Sequence, residues 1–249
     1  MTNEMHTPAF PETADVETSS DDYATRFSGA VGQWMLETQE RIALSLLKDL
    51  PGASILDVGG GHGQLAIPLC HQGYRVTVLG SADSCRRRIQ GVIDENLCQF
   101  VAGSVIDPPF APGSFDAAIC FRLLPHCAQW EALTAALCRM ARRAVLVDYP
   151  TSQSVNAFAP MLFGAKKRIE KNTRAWRLFG NSEVRRAFRQ NGFDRFVSRK
   201  QFFLPMALHR LLKQPALSRA AETACRFAGL TAALGSPVIL RASKPGQAG

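Results

Sequence analysis

No stretch of this 249-residue sequence approaches the apolar length of a membrane-spanning helix. Nor do residues 1–22 contain a basic leader and an apolar core. They are polar and acidic, so no signal peptide is indicated and the stretch reads as a disordered tail. Seven cysteines stand at 70, 85, 98, 120, 127, 138 and 225, without one C-x-x-C pair, which argues against a zinc site or a redox dithiol. Several lie in apolar runs, where cysteine serves as a small buried hydrophobe. Reduced thiols and the missing leader together predict a cytoplasmic protein. Tryptophan and tyrosine are scarce, at three each, so few aromatics interleave with the basic residues in the manner of a nucleic-acid surface. Acids are scarce in one place only. Residues 151–249 carry 18 Lys/Arg against 4 Asp/Glu (+14), whereas residues 1–150 carry 11 against 17 (−6). That asymmetry points to an anionic partner for the C-terminal part, or to a solvated basic face.

What is present centres on residues 54–66. Ile55, Leu56 and Val58 form an apolar run suited to a central parallel strand. Asp57, Gly59, Gly61 and Gly63 follow in the pattern D-x-G-x-G-x-G, and a helix begins near Gln64. Glycines let the backbone turn sharply and approach a ligand, and the helix start aims free N–H groups at the same place. The dinucleotide fingerprint G-x-G-x-x-G fails here, because Gln64 stands at its third glycine. The ribose-holding acid expected about 20 residues on is also missing, from Leu79-Gly80-Ser81. No lysine follows the glycines, so a phosphate-binding loop is excluded too.

Along the rest of the chain, spacing predicts a helix over 23–50 and strands over 54–58, 74–79, 97–102, 115–121 and 144–149. Helices are expected over 64–72 and 130–141, with another after Asp83 as its cap. Strands alternating with helices mean a doubly wound parallel α/β sheet. Beyond Pro150 the rhythm changes. Helical insertions are expected at about 151–181 and 205–235, with a helix over 182–190 and strands over 193–204 and 237–242. The domain is expected to run over 23–249.

From Ile55 to about Asp148 the chain resembles the class I S-adenosylmethionine-dependent methyltransferases, of the small-molecule type grouped with ubiquinone and menaquinone enzymes. The D-x-G-x-G-x-G turn, the Ser114-Phe115-Asp116-Ala117-Ala118-Ile119 strand, Leu123-Leu124-Pro125-His126 after it and Leu137-Cys138-Arg139-Met140 carry the likeness. The resemblance implies a Rossmann-like, seven-stranded sheet of order 3-2-1-4-5-7-6 with strand 7 antiparallel. It also implies S-adenosyl-L-methionine as cofactor, held by Asp57, Gly59, Gly61 and Gly63. The family's acid after strand two is replaced at Gly80-Ser81, so Ser81, or Asp83 reaching back, is expected at the ribose. Gly103-Ser104 replaces an acid after strand three, leaving Ser104 or backbone for the adenine. Tyr23, on a segment that such proteins fold over the cofactor, and Phe121 complete the expected contacts. Asp107-Pro108-Pro109-Phe110 looks like the motif of amino-methylating enzymes, but it precedes strand four instead of following it, where a proline-rich loop is ordinary.

Four residues at the strand edge are candidates for chemistry or substrate contact. His126 suits proton transfer, or packs against the next helix. Arg122 suits an anionic acceptor, or an ion pair with Asp116 or Asp148. Tyr149 and Asp148 end strand five, for capping or substrate contact. His62 is expected to be exposed in the glycine turn. Lys166, Lys167, Arg168, Lys171, Arg174 and Arg177 form a basic amphipathic run that fits an anion clamp, a cap over a hydrophobic acceptor or a surface on anionic lipid. The expected activity is methyl transfer to O or C of a small hydrophobic or anionic metabolite. The alternatives are a macromolecular substrate such as RNA, or a degenerate cofactor-binding protein without turnover.

Overall fold

The computed structural model describes residues 10–155 and 176–246. Seven strands form one sheet: β1 (Ser54–Val58), β2 (Arg75–Gly80), β3 (Cys98–Ala102), β4 (Phe115–Cys120), β5 (Ala141–Tyr149), β6 (Arg195–Phe202) and β7 (Ser236–Ser243), in the order β3-β2-β1-β4-β5-β7-β6. β1 to β5 are parallel, and β7 runs antiparallel between β5 and β6. The expected sheet order and the antiparallel strand 7 are as the resemblance implied. The order reverses between β1 and β4, and in such sheets ligands gather beyond the C-terminal strand ends at that reversal.

Helices cover both faces. On one, α3 (Gly29–Leu47) and α4 (Ala66–His71) pack Leu47 and Leu69 against Ile55, Ile119 and Leu146; on the other, α6 (Trp130–Met140) and α7 (Asn181–Gln190) pack Leu137 and Phe188 against Leu56, Val145 and Leu240. Ile55 and Leu56 are both fully buried on opposite faces, as a central parallel strand requires. Each such side chain contributes about 1.5–3 kcal/mol relative to exposure. A five-residue helix α5 (Gln90–Asp94) links β2 to β3, and the segment expected to be helical at 205–235 forms α8 (Met206–Leu212), α9 (Pro215–Phe227) and α10 (Leu230–Leu234).

Several local expectations are revised. The single helix over 23–50 is two: α2 (Asp21–Thr25), capped by Ser20, whose side chain accepts the Tyr23 N–H, and α3, which starts only after Ser28 turns extended. Asp83 is not a helix cap. Ala82 holds that place ahead of a 3-10 segment over Asp83–Ile89, and the Asp83 carboxylate pairs with Arg86 on the surface. The tail expected to be disordered over 1–22 is described from residue 10, and it contains α1 (Ala14–Thr18) with Asp15 wholly buried. All seven cysteines are free thiols, six of them buried. Among the described residues no helix is long and apolar enough to cross a membrane.

At the N-terminal strand ends, Asp116 locks β4 to β1. Its carboxylate accepts Ser54 N–H (2.9 Å), Ser54 Oγ–H (2.7 Å) and the Arg142 guanidinium (2.9 Å). Burial alone would raise its pKa, but the Ser54 hydrogen bonds and Arg142 outweigh that and hold it at about 2. A carboxyl more acidic in the folded state stabilises above its unfolded pKa of about 4 and loses that contribution as pH falls toward the folded value. Asp116→Asn should therefore cost about 1–3 kcal/mol at pH 7. In urea unfolding, the gap to the parent should narrow steadily between pH 4 and pH 2; a gap independent of pH would show that the charge contributes nothing.

Candidate active site

The glycine turn leaves β1 under tight constraint. Gly59 and Gly63 both have φ +76°, a left-handed conformation that side chains rarely adopt. Gly60 and Gly61 are limited by space instead. A Cβ on Gly60 would stand 2.1 Å from the Asp57 carboxylate, and one on Gly61 would stand 2.2 Å from the Cys85 carbonyl oxygen. Gly60, which the motif pattern leaves free, is thus as restricted as its neighbours. The Asp57 carboxylate is fully buried beneath it, with no hydrogen-bond partner for either oxygen among the described residues. Burial, with Cys70 adding to it, pushes its pKa up to about 8. A buried acceptor without a donor is costly, and it fits a site that receives a cationic or N–H-bearing ligand. His62 is buried, not exposed as expected. Its Nδ1 accepts the Gln64 N–H (3.2 Å), so the proton sits on Nε2, which faces the Phe121 carbonyl at 3.4 Å. Burial, then Arg122, lowers its pKa to about 3, so it stays neutral.

At the end of β2, Ser81 is turned toward the cradle, but its partner comes from α1. The Asp15 carboxylate accepts the Ser81 N–H at 2.6 Å and the Ser81 Oγ–H at 2.5 Å. Asp83 does not reach back, being committed to Arg86. Ser104 lies just past β3, where Gly103 N–H bonds to the Gly80 carbonyl, and its Oγ accepts the Asp107 N–H. Asp107 itself pairs with Arg139, and Phe110 packs edge-on against Phe115. The D-P-P-F stretch is thus a structural loop. Phe121 is placed with its ring wholly buried in the core beside Leu65 and Ile119, so only its main chain faces the turn.

A cavity of about 130 Å³ opens beyond β4 and β5, bounded by Tyr23, Arg122, His126, Asp148, Phe202 and Met206. Arg122 has φ +60°, strained for a residue with a side chain. Neither ion pair expected for its side chain forms. Its backbone N–H binds Asp148 (2.6 Å), while its guanidinium donates to Gln39 (3.3 Å) and lies 4.1 Å over the Phe27 ring. Asp148 also accepts from Gln39 Nε2 at 2.7 Å. Burial raises its pKa to about 6, against the opposing pull of the Arg122 amide and charge. Tyr23 lines the same cavity and is pushed up by burial. Tyr149 does not reach it. Successive strand residues face opposite sides, so with Asp148 in the cavity the Tyr149 ring enters the opposite core, where its hydroxyl donates to Asn181 at 2.9 Å. The Tyr149 hydroxyl, expected to serve in catalysis, is thus held on the face of the sheet away from the cavity. Phe27 adjoins the segment expected over the cofactor and Met206 the apolar, basic stretch expected as a cap or lipid surface; Gln39 carries no signal in the sequence, where it is one polar position of a helix.

Of the basic run, Lys166 to Arg174 lies outside the described residues. Arg177 is structural. It pairs with Glu183 and its guanidinium lies 5.1 Å over the Trp130 ring.

Two expectations follow for variants. A carboxyl whose folded pKa is raised destabilises the fold as it ionises, so stability falls as pH climbs from about 4 through about 8 for Asp57. Asp57→Asn should accordingly unfold at higher urea than the parent at pH 8.5, by about 1–3 kcal/mol, and show little gain at pH 4. A loss at both pH values would mean that Asp57 has an internal partner. Gly61→Val should destabilise the fold, because Cys85 main chain blocks the new side chain; circular dichroism melting checks this.

Residues 55–144 match the family model described as a methyltransferase domain. No curated protein sequence matches the chain. Among solved structures, a magnesium protoporphyrin IX methyltransferase from Synechocystis with bound SAH is similar at 18% identity and TM-score 0.64, over 93% of this chain and 98% of that one. A 1,6-didemethyltoxoflavin-N1-methyltransferase from Burkholderia thailandensis, with its substrate and S-adenosylhomocysteine, is similar at 16% identity and TM-score 0.59, over 92% of this chain and 84% of that one. The [4+2]-cyclase SpnF shares the fold as well, at 17% identity and TM-score 0.57 over 83% and 81% of the two chains. Residues 55–144 thus resemble a methyltransferase domain, and the seven-stranded sheet built around them has the fold of these methyltransferase structures.

Proposed function

We propose that this protein transfers a methyl group from S-adenosylmethionine to oxygen or carbon of a small acceptor with an apolar body and an anionic or acidic head. The observation that carries the reading is the pairing of two sites across the exit of β4. On one side is a glycine cradle over an unpartnered, buried Asp57; on the other is an apolar-walled cavity holding Arg122, His126, Asp148 and Tyr23. Asp57 and the turn at Gly59–Gly63 would hold the cofactor's amino-acid end, and the Ser81 and Ser104 edge would hold the nucleoside. When bound, the cofactor supplies an electrophilic methyl group on a sulfonium. The chain's own contribution is to hold the acceptor in line and to exclude water. The cavity's volume of about 130 Å³ is close to that of engineered cavities that admit one benzene ring, about 150 Å³. It suits a ring-sized head, with any longer body directed outward past Trp176. Arg122 orients an anionic group, and His126 removes the acceptor's proton. Asp148 is engaged by two donors and acts as a positioning residue for the strained Arg122 backbone.

Asp57 makes the cofactor assignment measurable. Protonated at neutral pH when the cradle holds no cation, it should release its proton when an ammonium group arrives. Calorimetry with S-adenosylhomocysteine at pH 7, in two buffers of different ionisation enthalpy, should show release approaching one proton. Asp57→Asn should abolish that release and weaken binding. NAD should give no heat; binding of NAD in place of S-adenosylhomocysteine would overturn the assignment.

Once an acceptor is identified by comparing metabolites of a deletion strain with its parent, His126→Ala and His126→Asn should each lower kcat by roughly 10²–10⁴-fold with cofactor affinity unchanged. Full rescue by asparagine would reduce His126 to positioning. Tight cofactor binding with no acceptor would leave a cofactor-binding protein without turnover.

A further inference from the structure

The buried N-terminal helix has no place in the chemistry above, yet it lies on the cradle. The Asp15 Cβ is 3.4 Å from where a Gly59 Cβ would stand, and the Ser19 Oγ is 2.6 Å from that position on Gly61. No ligand atom fits between α1 and the turn. We propose that residues 12–19 are an intramolecular plug, seated where the cofactor binds, which must leave before S-adenosylmethionine enters. This rests on the cofactor reading above.

Carboxylates set the plug in place. Asp15 takes both donors of Ser81, at 2.6 and 2.5 Å, and the Cys85 thiol approaches the same carboxylate at 3.4 Å. Glu12 accepts the Gln129 N–H at 2.7 Å, just before α6, so the segment is pinned on the far side of the β1–β4 reversal as well. Downstream, Asp21 pairs with Arg87 (2.6 Å) and Arg88 (2.8 Å) on the 3-10 segment. The anchors are therefore acids placed against backbone and side-chain donors around the rim. Between them the helix itself is weak. α1 has five residues and no side-chain cap, far below the length at which an isolated helix holds. Its position depends on the carboxylates, and charge-assisted bonds of this kind are the strong ones.

The plug also accounts for the missing acid after β2. With glycine at position 80, the carboxylate that meets Ser81 belongs to a displaceable segment instead of the strand. Apparent cofactor affinity is then lowered by the fraction of molecules in which the plug is seated, and weakening an anchor restores it.

The test is calorimetry of the full chain with S-adenosylhomocysteine. Asp15→Asn puts an amide against the Ser81 donors and should tighten binding by about tenfold; Glu12→Gln should tighten it by less. A second measurement needs no variant: in the parent protein, saturating S-adenosylhomocysteine should raise hydrogen exchange across residues 12–19. Equal affinities in parent and Asp15→Asn, or exchange that slows on binding, would overturn the plug. The latter would make α1 a lid over the bound cofactor. Weaker binding by Asp15→Asn would also overturn it and make Asp15 a cofactor ligand. Binding by neither the parent nor either variant would refute the cofactor reading itself, and the plug with it.

Discussion

The space under Gly60 is the constraint on which the rest of the site depends. β1 must end with an acid pointing into the protein, and the chain above it must then turn without any side chain at the next critical position. Two further glycines make the turn through left-handed dihedrals, while Gly61 lies against the Cys85 carbonyl. The turn therefore ties β1 to the end of β2 through the Cys85 segment and to β4 through His62 and the Phe121 carbonyl. All of this surrounds a carboxylate with no hydrogen-bond partner among the described residues. A fold selected for stability alone would pair that acid or replace it, and local violations of this kind concentrate where ligands bind.

The exit of β4 repeats the arrangement in another chemistry. Asp148 at the end of β5 is also buried and also raised in pKa, but it is satisfied by Gln39 and by the Arg122 amide. Accepting that amide holds Arg122 in a left-handed conformation and leaves its guanidinium over Phe27. Phe121 and Arg122 are adjacent, so the main-chain contact of His62 and the amide contact of Asp148 act on one short piece of backbone. The glycine turn and the cavity beyond β4 and β5 are thereby joined through one short piece of main chain.

Much of this was legible in the sequence because it rests on patterns of period and spacing. Ile55, Leu56 and Val58 announced a central strand, D-x-G-x-G-x-G its turn, and the alternation of strands and helices the sheet. Asp57, Gly59, Gly61 and Gly63 share one turn, whereas Tyr23, expected at the cofactor, lines the same cavity as Arg122 and His126. What failed depended on side-chain direction or on distant contacts. Tyr149 stands one residue from the cavity and, by strand alternation, faces away from it. His62 looked exposed because turns usually are, but the turn folds inward over the core. The acidic N-terminus read as unstructured because its composition offers little to bury, and nothing local reveals that Ser81 and Gln129, 66 and 117 residues away, present donors to it.

Fold alone does not choose the reaction, since a cyclase shares this architecture. The proposed methyl transfer rests on how charge is arranged about the sheet edge. The donor side has a buried acid awaiting a cation, beside a histidine kept neutral by burial, so no positive side chain on the turn opposes a sulfonium. The cavity beyond β4 and β5 instead sets the Arg122 guanidinium and the Asp148 carboxyl among apolar walls. In the proposed reaction a cationic methyl donor would ionise Asp57 on arrival, and the charges of donor and anionic nucleophile would both diminish as the methyl group passes between them. An enzyme that cradles such a pair needs little beyond alignment and exclusion of water. That is consistent with a site in which main-chain geometry, more than a conspicuous catalytic constellation, is what the sequence invests in.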